Sequence, residues 1–272
     1  MSAAAPPMTG RRSEAQRYIQ LVRELAVTNF RLKYTGSVLG YLWSMMKPLA
    51  YFAILYVIFV DFFHQRTASF PPQMFLAIVL FSFFTDSTGT SLGAIAGNGH
   101  LVRKASFPLS ALVVSLSVTA LFTMAINLSL VIVIGAVWGK LHLGLRTLAL
   151  PLLLAELYVL SLGVGMILGS IFVFYRDLGH IWEVFTQFLL YAAGIVFLAI
   201  QVPVQYRGWF FLNPLAQIIE DARHVAVTPD APWTFSMIGV PEYVIPIAMS
   251  VLIFLFGLWL FRRLNPIFAE NV

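Results

Sequence analysis

From Leu49 to Val60 the chain is an unbroken run of apolar and aromatic residues, and it is reached from a charged segment through the stretch Arg31 to Pro48. This junction constrains the fold more than any other feature. Its chemistry changes over a few residues from that of a membrane surface to that of hydrocarbon. Arg31, Lys33 and Lys47 suit a headgroup layer rich in anionic lipid. Tyr34, Tyr41 and Trp43 are amphipathic rings of the kind found at the same depth. Gly36 and Gly40 permit a tight turn or a close helix contact, and Pro48 fits the first turn of the helix that follows.

The rest of the chain agrees. It is 60% hydrophobic and only 11% charged, whereas a soluble domain is about half apolar and a quarter charged. At roughly 20 residues per crossing, hydropathy predicts six transmembrane helices near 43–63, 73–96, 110–138, 147–174, 180–202 and 244–262. The fold class expected is an all-α integral membrane protein. Its parts are a disordered tail over 1–12, an amphipathic interfacial helix over 13–33 and a six-helix transmembrane domain over 34–272. In the interfacial helix, Arg17, Gln20, Glu24, Thr28 and Arg31 share an arc of roughly 80° opposite Tyr18, Ile19, Val22, Leu25, Ala26 and Phe30. The first 40 residues lack a continuous apolar core, so no signal peptide is expected. The chain has no cysteine, which excludes disulfide and thiol chemistry.

Orientation follows from the basic residues. With the N-terminus inside, the inner segments carry 12 of them and the outer segments 5, which places both termini in the cytoplasm. Gly89, Gly93 and Gly97, and again Gly165 and Gly169, recur at the spacing that lets helix backbones approach closely, and packing within the chain is the expectation for them. The connection from Pro203 to Tyr243 is too long and too aromatic for a plain loop. It is read as short re-entrant helices dipping into the outer leaflet, buried against protein.

Catalytic chemistry is sparse. The five histidines (His64, His100, His142, His180 and His224) lack metal-ligand spacing, and no metal site is predicted. Asp86 and Glu156 lie well inside crossings and are candidates for a proton relay or for hydrogen-bonded structural roles. The run from Gly135 to Leu141 resembles a phosphate-binding loop but has the wrong spacing and lacks Ser or Thr after Lys140. Two aromatic stripes offer more. Phe52, Tyr56, Phe59 and Phe63 share one helical face, and Trp182, Phe185, Phe188 and Tyr191 recur at three-residue intervals. They could pack on one another, face lipid, or line a pathway of flat π faces along which a sugar polymer slides. The inner link from Gly97 to Pro108 reads as a small exposed helix. Leu101 and Val102 beside Arg103 and Lys104 would form a docking knob for a soluble partner.

These pieces resemble the membrane subunits of type-2 ABC exporters of polysaccharides and polyol phosphates: the O-antigen, capsule and teichoic acid permeases. The likeness is carried by Arg31, Lys33, Tyr34, Gly36, Ser37, Leu39, Gly40, Trp43 and Pro48, then Phe107-Pro108, then Phe174-Tyr175-Arg176-Asp177, then Asn213-Pro214. It extends to actinobacterial exporters of lipid-linked galactan. Val202-Pro203 departs from the Ser-Pro that the family often has. The resemblance implies a multi-pass inner (plasma) membrane permease, a homodimer served by two separate ATP-binding cassette subunits. This chain would bind no cofactor, with ATP and Mg on the partner. The implied substrate is a glycan on an undecaprenyl or other lipid pyrophosphate. The resemblance assigns Arg31, Lys33 and Tyr34, with Lys47 nearby, to the point where the chain passes into the membrane. It assigns Leu101, Val102, Arg103, Lys104, Arg176 and Asp177 to ATPase docking, and Trp209, Phe210, Phe211, Asn213 and Pro214 to an outer gate. The alternative is a proton-coupled secondary transporter or channel acting without an ATPase, with Asp86 or Glu156 as relay.

Overall fold

The computed structural model describes residues 13–35, 40, 42–62, 64, 67, 69–102, 107–139, 144–229 and 231–271. The tail over 1–12 lies outside the described residues. So do Gly36, Ser37, Leu39 and Tyr41 of the junction, Phe63 of the first aromatic stripe, and Arg103, Lys104 and Lys140.

Among the described residues the structure is all-helical. Helix α1 (Glu14–Tyr34) begins at a capping box, in which Ser13 Oγ accepts from the Gln16 amide and Gln16 Oε1 accepts from the Ser13 amide. This satisfies two of the amides that a helix start leaves without partners. The chain then runs through α2 (Leu42–Tyr56), α3 (Phe70–Leu92), α4 (Gly99–Val102), α5 (Ser110–Val137), α6 (Leu150–Phe172) and α7 (Leu178–Ala192). It closes with α8 (Val204–Phe210), α9 (Pro214–Ala226), α10 (Thr234–Ile238), α11 (Val240–Leu264) and α12 (Phe268–Asn271).

Five helical stretches among the described residues are long and apolar enough to cross a membrane: Leu42–Phe62, Phe70–Leu92, Ser110–Val137, Leu145–Phe172 and Val240–Asn271. They fall where hydropathy predicts, with two differences. Pro48 stands in the interior of α2 and not in its first turn, because the helix already starts at Leu42; the missing N–H interrupts one backbone bond there. The segment predicted to cross at 180–202 is helical only over Leu178–Ala192. At 1.5 Å per residue that is about 22 Å, short of the ~30 Å hydrocarbon core. Gly194, at φ +66°, ends the straight run. A Cβ there would stand 2.8 Å from the Phe210 ring, so the bend needs glycine for both its backbone angle and its room.

Helix α3 is the centre of the subunit. Every residue from Phe70 to Leu80 is buried, with α2, α5, α6 and α9 packed around it. Helix α11 lies along α6, and Gly163 makes this possible: a Cβ there would come within 2.5 Å of the Phe254 Cα. Gly165 and Gly169 meet Ser91 of α3, each with a built Cβ 2.7 Å from it, as expected for a small-residue seam. Gly89, Gly93 and Gly97 do not follow: nothing in the subunit lies within 4 Å of a Cβ at any of them. That stripe faces outward from α3, because Ser87 and Ser91 occupy the face turned to the core.

Candidate functional site

The amphipathic α1 turns its apolar side onto α5. Thr119 Oγ1 donates to the Ala26 carbonyl (3.2 Å), the Tyr18 and Ser110 hydroxyls meet at 3.1 Å, and the Phe30 ring stands edge-on to Phe122. This fixes where α1 ends. Its last turn carries Arg31 and Lys33, cations that suit the negative end of the helix dipole. Lys33 Nζ reaches Asp86 Oδ2 on α3 at 2.7 Å, both side chains 37% exposed. The threonine hydroxyls around Asp86 are committed to their own helix, Thr85 donating to the Phe81 carbonyl, Thr88 to Phe84 and Thr90 to Asp86, while Ser87 donates to Ser117 of α5. Asp86 is thus an ion-pair partner of α1.

Behind this pair lies a cavity of about 870 Å³ bounded by α1, α2, α3, α5 and α7. Its volume is within the range of small-molecule sites, and its walls are mainly apolar with a few placed polar groups, as such sites are. Lys33, Lys47 and Asp86 stand among its lining residues, and Trp43 and Tyr51 contribute rings. Thr123 and Asn127 of α5 line it as well.

The two aromatic stripes do not meet across a pathway within the subunit. Phe52 is buried edge-on against Phe75 at 5.1 Å, Tyr56 stands 6.2 Å from Trp138, and Phe59 lies 6.4 Å from Phe70. That stripe is packed core. Phe185, Phe188 and Tyr191 are 44, 66 and 62% exposed on the free face of α7. Where α2 and α7 do come together, at the cavity, they present Tyr51 and Leu190 with Thr186 and Gln187.

The inner knob is also placed differently from expectation. Val102 is buried and Leu101 half-buried, in a cluster with Ile95, Val113, Phe261 and Phe268. Apolar side chains on so short a helix find a hydrophobic cluster at hand and turn inward to it. Phe268 of α12 packs between Phe261 and Phe174 at 5.6 and 6.4 Å. It thereby joins the C-terminal end of the chain to the turn carrying Arg176 and Asp177. Those two side chains are exposed, with Arg176 lying over the Phe172 ring.

On the other side, α8 to α10 follow the bend at Gly194. Trp209 is 76% exposed, whereas Phe211 is 1% exposed. Asn213 caps α9 by accepting from the Leu215 amide and donates to the Ala192 carbonyl, with Pro214 as the first helical residue. The central residue here is Arg223, 1% exposed. Its Nη1 donates to Glu220 (2.9 Å) and the Phe197 carbonyl (3.1 Å), its Nη2 to the carbonyls of Gly194 (2.9 Å) and Ile195 (3.1 Å), and its Nε to that of Gln73 (3.4 Å). All five guanidinium donors are engaged, and the carbonyls freed where α7 breaks are satisfied by them. One turn away, buried Asp221 accepts from Gln217, the Thr234 amide and the Tyr243 hydroxyl. Burial pushes its carboxyl above the usual range, against the lowering effect of these donors. Neither acid nor Arg223 stood out in the sequence as a site. The available signal was Gln217, Glu220, Asp221 and Arg223 at helical spacing within a segment too aromatic to be plain loop.

The ABC-2 type transporter family profile matches residues 20–226. The chain is 25% identical over 264 residues to the O-antigen export system permease protein RfbA of Myxococcus xanthus, covering 95% of this chain and 98% of that one. It is 23% identical over 248 residues to the protein of the same name from Klebsiella pneumoniae, covering 90% and 93%. With the polysialic acid transport protein KpsM of Escherichia coli the figures are 26% over 211 residues, covering 76% and 81%.

Proposed function

Because the chain belongs to the ABC-2 type transporter family, we infer that it is the membrane-spanning permease subunit of an ATP-driven polysaccharide exporter. It is a transport subunit and not an enzyme, with ATP hydrolysed on a partner chain. End-to-end similarity to permeases named for O-antigen and polysialic acid export supports the polysaccharide.

The observation that carries a lipid-linked substrate is the cavity with its cationic mouth. Lys33 and Lys47 at one end meet a phosphate as point charges, and apolar walls with few polar groups suit a sugar followed by a lipid. In this reading the glycan is carried on a polyprenyl pyrophosphate and leaves the cytoplasmic side of the inner membrane for the outer side. Two copies form the conduit, and the rings offered to it are the exposed Phe185, Phe188 and Tyr191 of α7. The chain crosses six times, α7 and the bent segment after it making the fifth passage, with both termini cytoplasmic. Arg103, Lys104, Arg176 and Asp177 face the ATPases. Trp209 and Phe210 stand at the outer exit, held by Phe211, Asn213 and Pro214.

The test is a strain lacking this permease but retaining its ATPase and glycan synthesis. Lipid-linked polymer should accumulate on the cytoplasmic side and disappear from the surface, and the gene should restore export. Restoration by the permease without any ATPase would instead favour a secondary carrier.

A further inference from the structure

Helix α5 treats its hydroxyls in two ways. Near the inner end, Ser115, Ser117 and Thr119 bond back to carbonyls of their own helix, the usual fate of such groups in an apolar helix. One turn further along, Thr123 (8% exposed) does not, and its Oγ1 has no hydrogen-bond partner. One turn beyond that, Asn127 (2% exposed) is in the same state, its Oδ1 buried and without a partner. Both residues line the cavity behind the Lys33–Asp86 pair. Buried polar groups are nearly always satisfied, and leaving them bare in an apolar wall is costly. Among the described residues of α5 these are the two left so, and they stand together on one wall of one cavity.

Their depth can be read along the helix. Ser87 Oγ donates to Ser117 Oγ, which sets the neighbouring Asp86 near the level of Ser117; at 1.5 Å per residue, Thr123 and Asn127 lie about 9 and 15 Å further along α5. The charged groups lining the cavity are Lys33, Lys47 and Asp86, with Lys33 and Asp86 paired at the mouth. The other polar side chains of the lining, Thr186 and Gln187 of α7 among them, are neutral. A hydrocarbon chain placed beside Thr123 and Asn127 would leave these groups bare. A neutral sugar offers hydroxyls for both and an apolar ring face for the walls.

We propose that Thr123 and Asn127 form a recognition shelf for the first, uncharged sugar of the lipid-linked glycan, further along α5 than the Lys33–Asp86 pair at the mouth that receives its pyrophosphate. The assignment rests on the lipid-linked reading given above. It makes α5 the element that distinguishes a loaded carrier from the bare lipid pyrophosphate, and the shelf's selectivity is for the sugar and not for the charge.

The experiment uses the full chain in lipid nanodiscs and three probes: a polyprenyl pyrophosphate, and the same lipid carrying one glucose or one galactose. The wild type should hold at least one of the sugar-bearing lipids about tenfold more tightly than the bare one, the size expected of two hydrogen bonds gained in a desolvated site. Thr123→Val with Asn127→Leu should reduce that affinity to the level of the bare lipid and leave bare-lipid affinity unchanged, which also reports folding. Should the double variant fail to fold, Thr123→Val and Asn127→Ala singly should each lose about threefold. Lys33→Ala should weaken all three probes alike. A preference that survives these substitutions, or a wild type that prefers neither sugar, overturns the shelf. A wild type that binds none of the three overturns the lipid-linked reading itself.

Discussion

Removing the Arg223 guanidinium tests the outer half of the fold most directly. Arg223→Ala leaves Glu220, whose side chain is 2% exposed, as a buried carboxylate without its cation. It also strips donors from the carbonyls of Gly194, Ile195, Phe197 and Gln73. Breaking a buried ion pair from one side costs about 3–5 kcal/mol, and the carbonyls add to this less than additively, since the bend can relax. For a chain of this size each kcal/mol corresponds to roughly 2–4 °C, so the melting temperature should fall by on the order of 10 °C. Heating the purified permease in detergent and following its monodisperse fraction measures this. Arg223→Lys should fall between, because three donors on a point charge cannot serve five acceptors spread over two helices and a bend. Replacing both Arg223 and Glu220 with Met should be milder than Arg223→Ala, because no charge is left stranded. If Arg223→Ala melts within about 2 °C of the wild type, the five bonds do not hold the bend.

Phe52→Ala should cost about 3–5 kcal/mol as a core cavity, whereas Phe188→Ala should leave melting unchanged and slow glycan export; equal destabilisation by the two would mean the α7 stripe is packed core. Asp86→Asn frees Lys33 and should raise affinity for a polyprenyl pyrophosphate in nanodiscs a few-fold, a modest effect because the pair is partly exposed, while Lys33→Ala should lower it. Val102→Asp should reduce the yield of folded permease and leave ATP hydrolysis per folded complex coupled to export; normal yield with uncoupled hydrolysis would show that Val102 projects to the partner. Single cysteines at Arg176 and Trp209, in a chain with none of its own, should be labelled from the cytoplasmic and outer sides respectively by an impermeant maleimide, and the reverse pattern would invert the topology.

Most helices are legible in the sequence because their cause is local. Four of the spanning stretches carry long, mainly apolar runs, and their observed ends fall within about four residues of the hydropathy reading. Ser13 and Gln16 show the same for the start of α1. The break in α7 is not local. Residues 193–198 are as apolar as the helix before them, and what ends the helix is Gly194 at positive φ together with Arg223, reached across 29 residues of sequence. Exposure is equally a property of the assembled fold. Leu101 and Val102 beside two cations look like a surface knob until Phe261 and Phe268 arrive from the other end of the chain. Phe52 and Phe188 are alike as stripe residues; only the neighbouring helices decide that one is covered and the other free. The cavity groups were hidden for the same reason, since a Thr and an Asn in a helix with several other hydroxyls carry no mark of lacking partners within the fold.

The two ends of the subunit differ in how firmly they are joined. At the inner end, α1 meets α3 through one half-exposed ion pair, and exposed pairs contribute about 0–1 kcal/mol. At the outer end, α9, α3 and the bend after α7 are bound through one buried guanidinium with five acceptors, several kcal/mol by comparison. In the transport reading proposed above, the α1–α3 ion pair parts before the Arg223 assembly and widens the inner mouth, with α1 still held on α5 through Ala26 and Tyr18. Opening the outer side without breaking the Arg223 bonds requires a hinge beyond their reach. The first segment that meets this condition is α8. Arg207 ties it to the carbonyls of Ile200 and Val202 just before it, and a swing of α8 has to break only the Phe210–Phe197 ring contact with the bend. Its Tyr206 and Trp209 faces are exposed, and its far end is anchored by buried Phe211. In the transport reading proposed above, the inner mouth opens first and α8 second, with α9 and the bend moving as one piece.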